Sequence, residues 1–289
     1  MNFENVKTVA VKVLNLEKYG ASRSFFSECE ALRNVRHRNL IKVLGLCSSI
    51  DKHGNDFKAL IFEFMPNCSL AAWLHPNANV YMDLSVRSLN LVQRLSIAID
   101  VATALEYLHY HVPTPIVHCD LKPSNVLLDG DITAHAGDFG LARFLVPPET
   151  LPSHSLTSID GIKGSIGYIP PEYGMGGRPS MEGDVYSYGI LLLEIFTGVS
   201  PTDERLRDGV SLHKHVEIAY PEQVMDIIDT KLFSTANQEA NTYASENVFG
   251  CLLLVIQCGL LCSKDSPKER ITIKDVVKEL NSAWKKLLG

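Results

Sequence analysis

Polar and apolar positions alternate over Thr8-Val9-Ala10-Val11-Lys12-Val13-Leu14, and β-branched residues dominate there, so the segment predicts a strand. The period then changes: Phe25, Cys29 and Leu32 fall at helical spacing and predict one face of a helix. Two further strands are expected over Leu40 to Cys47 and Lys58 to Phe64, joined through a Gly54-Asn55 turn. As far as Met65 the chain reads as sheet with one helix. Beyond Pro66 it turns helical. Leu91, Leu95, Ala98, Val101, Ala102, Leu105 and Leu108 mark a long amphipathic helix over Leu91 to His109. Val185 to Thr197 is apolar almost all round and stops at Gly198, with Pro201 beyond, the pattern of a helix buried on every side. Val248 to Cys262, interrupted by Gln257 and Gly259, reads as a core helix too short to span a bilayer. Thr272-Ile273-Lys274-Asp275 resembles a capping box opening a last helix through Val276, Val277, Leu280 and Trp284. Together these elements predict an α+β architecture: a small β-rich lobe, a short connector and a larger helical lobe. A ligand cleft is expected between the lobes.

Composition narrows this picture. The 289 residues suffice for two packed lobes, and 46% hydrophobic against 21% charged residues describes a globular chain with a real core. A net charge of −6 gives no electrostatic reason to expect nucleic acid or an anionic membrane surface. The seven cysteines form no CxxC pair, which points to a reducing compartment. There the glycosylation pattern Asn67-Cys68-Ser69 would be silent. His109/His111 and His213/His215 stand without cysteines nearby and do not make a zinc pattern. No signal peptide opens the chain.

The chemistry concentrates between the two longest helices. Ile116-Val117-His118-Cys119-Asp120-Leu121-Lys122-Pro123-Ser124-Asn125-Val126-Leu127-Leu128 is followed shortly by Gly137-Asp138-Phe139-Gly140. A DFG tripeptide alone is an ordinary turn, and His118 alone an ordinary core histidine. The joint pattern is specific: H-x-D, a lysine two residues on, an asparagine three further, then DFG. It resembles the catalytic and metal-binding loops of protein kinases.

That resemblance implies a two-lobed protein kinase fold, with a partial N-lobe over residues 1–65 and a C-lobe over 66–289. It also implies ATP and Mg2+ as cofactors. By resemblance, Asp120 accepts the proton of the substrate hydroxyl, Lys122 lies against the transferring phosphate, and Asn125 and Asp138 supply oxygen ligands to Mg2+. Lys12, in Val9-Ala10-Val11-Lys12, matches the lysine that contacts the α/β-phosphates, with Glu28 as its helix partner and Glu30 as the nearby competitor. Phe62 is implied at the back of the adenine pocket. Glu63 and Met65 would offer backbone groups to the adenine edge, and Ala10 and Leu127 would sandwich the ring.

Downstream, Gly164-Ser165-Ile166-Gly167-Tyr168-Ile169-Pro170-Pro171-Glu172 resembles the end of an activation segment. Glu172 is implied to pair with Arg270, and Asp184 to hydrogen-bond the backbone of the catalytic loop. Lys122 after Asp120 marks the Ser/Thr class, and Ser165 fits the position facing the acceptor hydroxyl. Met65-Pro66-Asn67-Cys68-Ser69-Leu70, Thr197 to Asp203 and Val224 to Asp229 look like plant receptor-like kinases, most of all the leucine-rich-repeat branch tied to innate immunity. That likeness implies the cytoplasmic part of a single-pass receptor, with protein substrates and a co-receptor kinase as partners. Any membrane attachment would come from a transmembrane segment not present here, and the chain alone would be soluble and cytoplasmic.

Two departures stand out. Cys119 replaces the arginine that commonly precedes the catalytic aspartate, so phosphorylation of the activation segment is not expected to act through that contact. Ser155, Thr157 and Ser158 remain candidate phosphorylation sites, against the alternative of a solvated loop. Moreover, nothing between Met1 and Lys12 reads G-x-G-x-x-G, and no glycine precedes Gly20. A shortened N-lobe, weak ATP binding and an exposed sheet edge are expected as a result. The rival reading is a catalytically impaired scaffold that binds receptor partners through its large lobe. A small-molecule kinase of related fold is a third, disfavoured by the complete activation segment ending at Glu172.

Overall fold

Strand β1 (Val9–Val13) and strand β3 (Asp56–Glu63) pair antiparallel, and β2 (Val43–Ile50) pairs with the other side of β3, giving the order β1-β3-β2. The computed structural model describes residues 8–17, 20–33, 35–50, 54–76, 88–145, 164–206, 209–233 and 243–289. The candidate phosphorylation sites Ser155, Thr157 and Ser158 lie outside the described residues, as do residues 1–7, most of the stretch that reads without a glycine-rich loop. Register places Lys12 opposite Leu60 and Ala10 opposite Phe62, so these four side chains share one face of the sheet. Val9, Val11 and Val13 take the other face and are exposed; among the described residues β1 is an edge strand. Helix α1 (Ala21–Arg33) covers the inner face with Phe25 and Leu32 buried and Cys29 half-buried.

The expected strand over Leu40 to Cys47 is displaced. Leu40 makes only a single bridge, to Ala136 of the other lobe, and pairing with β3 begins at Val43 beside a bulge. Its partner starts at Asp56 rather than Lys58 and ends at Glu63. Leu40 and Ile41 are instead buried at the junction of the lobes, where Ile41 N–H bonds Ala136 O at 2.9 Å.

The larger lobe begins with α2 (Leu70–Leu74) and α3 (Leu91–Tyr110). Asn90 and Gln93 close a reciprocal capping box on α3, satisfying amides that have no partner within the helix. Short strands follow: β4 (Ile116–Val117), the hairpin of β5 (Val126–Leu128) with β6 (Ala134–Ala136), and β7 (Arg143–Phe144) on β4. Next come α4 (Pro171–Gly174) and α5 (Met181–Thr197). Helix α5 starts one turn earlier than the apolar run suggested, because the Ser180 hydroxyl caps Gly183 N–H, and it stops at Gly198 in the left-handed region. Then follow α6 (Leu212–Ala219), α7 (Val224–Ile227), α8 (Tyr243–Cys262) and α9 (Ile273–Leu288).

Helices α5 and α8 cross at two glycines. A Cβ on Gly189 would lie 2.6 Å from the Cys262 side chain and 2.9 Å from Gly259 O, and one on Gly259 would meet Leu193. Only glycine permits so close a crossing. Leu191, Leu192, Leu193, Ile195 and Phe196 of α5 are fully buried, so α5 is the pillar on which the lobe's functional loops rest. No helix among the described residues is long and apolar enough to cross a membrane.

Candidate active site

Lys12 projects from β1 toward α1, where Glu28 is buried. Its ammonium donates to Glu28 Oε2 at 2.8 Å and to Asp138 Oδ1 at 2.7 Å. Glu30 lies elsewhere, on a groove between α1 and β2. The close approach of α1 to Asp138 depends on Gly140, where any Cβ would run into the Ser24 hydroxyl. Phe139 is buried beside the His118 ring, centroids 4.8 Å apart, and His118 Nε2 meets Gly137 O at 3.0 Å.

The loop carrying Asp120 hangs on α5. Asp184 accepts from His118 N–H at 2.7 Å and Cys119 N–H at 2.9 Å, and meets His109 Nε2 at 2.9 Å. Cys119 and Asp138 both sit at positive φ, +66° and +60°. Such conformations cost about 1–3 kcal/mol each and persist where surrounding contacts over-determine them. The Asp184 bonds supply that at Cys119.

Asp120, Lys122, Asn125 and Ser165 form one closed set. Asn125 Nδ2 donates to Asp120 O at 2.8 Å and to Asp120 Oδ2 at 3.1 Å. Lys122 Nζ lies 3.1 Å from Asp120 Oδ2 and donates to Ser165 Oγ at 2.6 Å. The Ser165 hydroxyl in turn donates to Asp120 Oδ1 at 2.8 Å.

A cleft of about 340 Å³ opens between the lobes. Ala10, Lys12, Glu28, Phe62, Glu63, Met65, Asn125, Leu127 and Asp138 all line it. Asp120 and Lys122 do not, and are tied to it through Asn125. Val11, Ile41, Phe64, Ser124 and Gly137 complete the lining and escaped the sequence reading. Most of them offer only apolar or backbone surface, so no chemistry in the sequence betrays them. Two larger hollows exist, about 750 Å³ between α1 and β2 and about 720 Å³ beside His75 and Arg205. The second carries charged side chains of its own, Arg205, Asp226 and Asp229 among them, but neither contains Lys12, Asn125 or Asp138, and volume alone does not make a site.

The charges here share one cation. Burial alone would push Lys12 down, but the Glu28 and Asp138 carboxylates outweigh it and hold Lys12 above its ordinary value. Burial pushes Glu28 up, only partly opposed by Lys12, and its Oε1 is buried without a hydrogen-bond partner. For Asp138 burial also acts upward, yet the Lys12 ammonium prevails and keeps the carboxyl below the usual aspartate range. The ammonium therefore serves Asp138 well and leaves the more deeply buried Glu28 under-compensated.

Oxygen donors for a hard cation are present. With its amide nitrogen committed to Asp120, Asn125 retains Oδ1, and Asp138 retains Oδ2 beyond its bond to Lys12. Among the described residues no group of three His, Cys, Asp or Glu is arranged to hold a metal. Two protein oxygens fit Mg2+, which completes its shell with phosphate oxygens and water.

A small sheet lobe set on a helical lobe, with a lysine of one reaching a carboxylate of the other, is the architecture of protein kinases. The family model for protein tyrosine and serine/threonine kinases matches residues 2–280. The chain belongs to that family. It is 51% identical over 276 residues, 96% of its length, to a probable LRR receptor-like serine/threonine-protein kinase of Arabidopsis thaliana. It is also 49% identical over 284 residues, 97% of its length, to the receptor kinase-like protein Xa21 of Oryza sativa subsp. japonica. With the LRR receptor-like serine/threonine-protein kinase EFR of Arabidopsis thaliana it shares 47% over 283 residues, 98% of its length. The matched part covers 27%, 27% and 26% of these three proteins, so the chain spans about a quarter of their length.

Proposed function

We propose that the chain transfers the γ-phosphoryl group of ATP to serine or threonine hydroxyls of proteins, as the cytoplasmic kinase part of a receptor-like protein acting in signalling or defence. The smaller lobe of this unit falls within residues 1–65 and the larger within 66–289. The observation that carries the reading is the placement of the Ser165 hydroxyl, which donates to Asp120 Oδ1 and accepts from Lys122 Nζ. A substrate hydroxyl needs the same two partners: an acceptor for its proton and a cation beside the phosphate it attacks.

In this reading Asp120 orients the acceptor hydroxyl and takes its proton as the new O–P bond forms and the bond to the leaving phosphate breaks. Lys122 balances the negative charge spread over the transferring group, and Lys12, held by Glu28, fixes the phosphates behind it. Asn125 and Asp138 would hold Mg2+, which neutralises phosphate charge when bound. Phe62, Glu63, Met65, Ala10 and Leu127 form the adenine end of the cleft. Protein substrates and a co-receptor kinase are the partners that the receptor-like relatives suggest.

The test is label transfer from γ-labelled ATP with Mg2+ to a generic basic acceptor protein, followed by phosphoamino-acid analysis. Serine and threonine should carry label, Asp138→Asn should abolish transfer, and Asp120→Asn should reduce it about 10²–10⁴-fold. Transfer that Asp138→Asn leaves unchanged would refute the metal role, and label on tyrosine would refute the Ser/Thr assignment.

A further inference from the structure

Resting on the transferase reading above, we propose that His75 is a positioning residue for the protein acceptor, acting through buried Glu194 and Tyr168 on the loop that carries Ser165. Glu194, on the last turns of α5, is buried with both carboxylate oxygens engaged. Oε2 accepts the Tyr168 hydroxyl, and Oε1 faces His75 Nε2 at 2.8 Å. The Nε2–H tautomer of His75 donates there. Its side chain is 36% exposed, so this is the solvent-facing end of an otherwise buried chain.

Each end of the chain is anchored. His75 closes α2, its own N–H bonding Ala71 O at 2.9 Å, and α2 begins beside Ser69, which bridges Leu127 of the cleft wall. Tyr168 is gripped twice by α5, through its hydroxyl and through its carbonyl, which accepts Ser187 Oγ at 2.8 Å. Between Tyr168 and Ser165 the loop turns through Gly167 at φ +91°, pressed against Pro201, and closes with Tyr168 N–H on Ser165 O at 3.0 Å. A shift of the Tyr168 ring is therefore passed to Ser165, the group bonded to Asp120 and Lys122. Burial and the Glu194 charge push the Tyr168 phenol well above its ordinary value, so it stays a donor at all working pH.

Removing the His75 donor leaves a buried Glu194 oxygen unpaired, and the readiest relief is reorientation of Glu194 away from Tyr168. His75→Phe keeps the ring and deletes the donor; His75→Gln restores an N–H. The experiment compares wild-type protein and both variants by hydrogen exchange over residues 164–170 and by KM for ATP and for a basic acceptor protein. His75→Phe should speed exchange in that loop and raise the acceptor KM by about tenfold with the ATP KM unmoved, and His75→Gln should stay near wild type. Unchanged loop exchange in His75→Phe overturns the proposal whether or not the protein transfers phosphate. So does faster exchange with an unmoved acceptor KM, or equal rises in both KM values. Faster loop exchange in His75→Phe from a wild-type protein that transfers no label upholds the coupling of His75 to the loop and sinks the transferase reading, and with it the acceptor role.

Discussion

Replacing Arg270 by alanine removes a side chain that makes five hydrogen bonds within the larger lobe. The guanidinium is fully buried and all five of its N–H groups are used. Nε donates to Lys264 O at 2.8 Å; Nη1 donates to Glu172 Oε1 at 2.7 Å and Glu182 O at 2.9 Å; Nη2 donates to Glu172 Oε2 at 2.7 Å and Asp265 O at 3.0 Å. The Tyr186 ring adds a cation–π contact at 4.9 Å. Alanine strands the Glu172 carboxylate, only 18% exposed, together with three carbonyls. Breaking one side of such a pair costs about 3–5 kcal/mol. At about 2 °C per kcal/mol for a chain of this size, Tm should fall by about 6–10 °C. Arg270→Lys, with three donors and no planar fork, should fall between alanine and wild type. Calorimetric melts of Arg270→Ala, Glu172→Gln and the double variant complete the cycle, and the double loss should be smaller than the sum by about 1–3 kcal/mol. A fall under about 2 °C for Arg270→Ala, or strict additivity, would refute the reasoning.

Glu28→Gln should make the protein more stable at neutral pH while weakening phosphotransfer. Because the folded Glu28 titrates above its ordinary value, the stability it contributes is present below the ordinary glutamate value and is lost as pH rises through the folded one. The Tm gap between the variant and wild type should thus widen from pH 4 to pH 7, and a constant gap would contradict the under-compensated charge. Cys68 is exposed at φ +59°, the left-handed region that glycine adopts without strain. Cys68→Gly should stabilise by about 0.5–1 kcal/mol, the relief of strain exceeding the extra unfolded-state entropy, and a lowered Tm in thermal melts would count against it.

The sequence made the long, strongly periodic elements legible. Helix α3 and the buried body of α5 stand where apolar spacing put them, because their packing faces are long enough to declare a period. Shorter elements were not readable. Strands β4 and β7 are two residues each, and β5 and β6 three, so their pairing is set by where α3 and α5 hold the chain rather than by any local alternation. Leu40 looked like the start of a strand because it is apolar in a β-rich stretch, yet tertiary contact with Ala136 takes it out of the sheet. In the site, charged and amide side chains announced themselves by type and spacing. Ile41 and Gly137, where a Cβ would lie 3.3 Å from the Ile41 side chain, shape the cleft purely by volume. His75 was one histidine among ten, and only the fold reveals that it meets Glu194.

Phosphotransfer as proposed requires that Asn125 and Asp138 hold one divalent ion beneath a nucleotide in the inter-lobe cleft. Paramagnetic broadening by Mn2+, added with a non-hydrolysable ATP analogue to isotope-labelled protein, tests that directly. Amide signals around both Asn125 and Asp138 should vanish together while those around Arg270 survive, and Asp138→Asn should restore them. Broadening confined to one of the two segments, or none that depends on the nucleotide, would contradict the account.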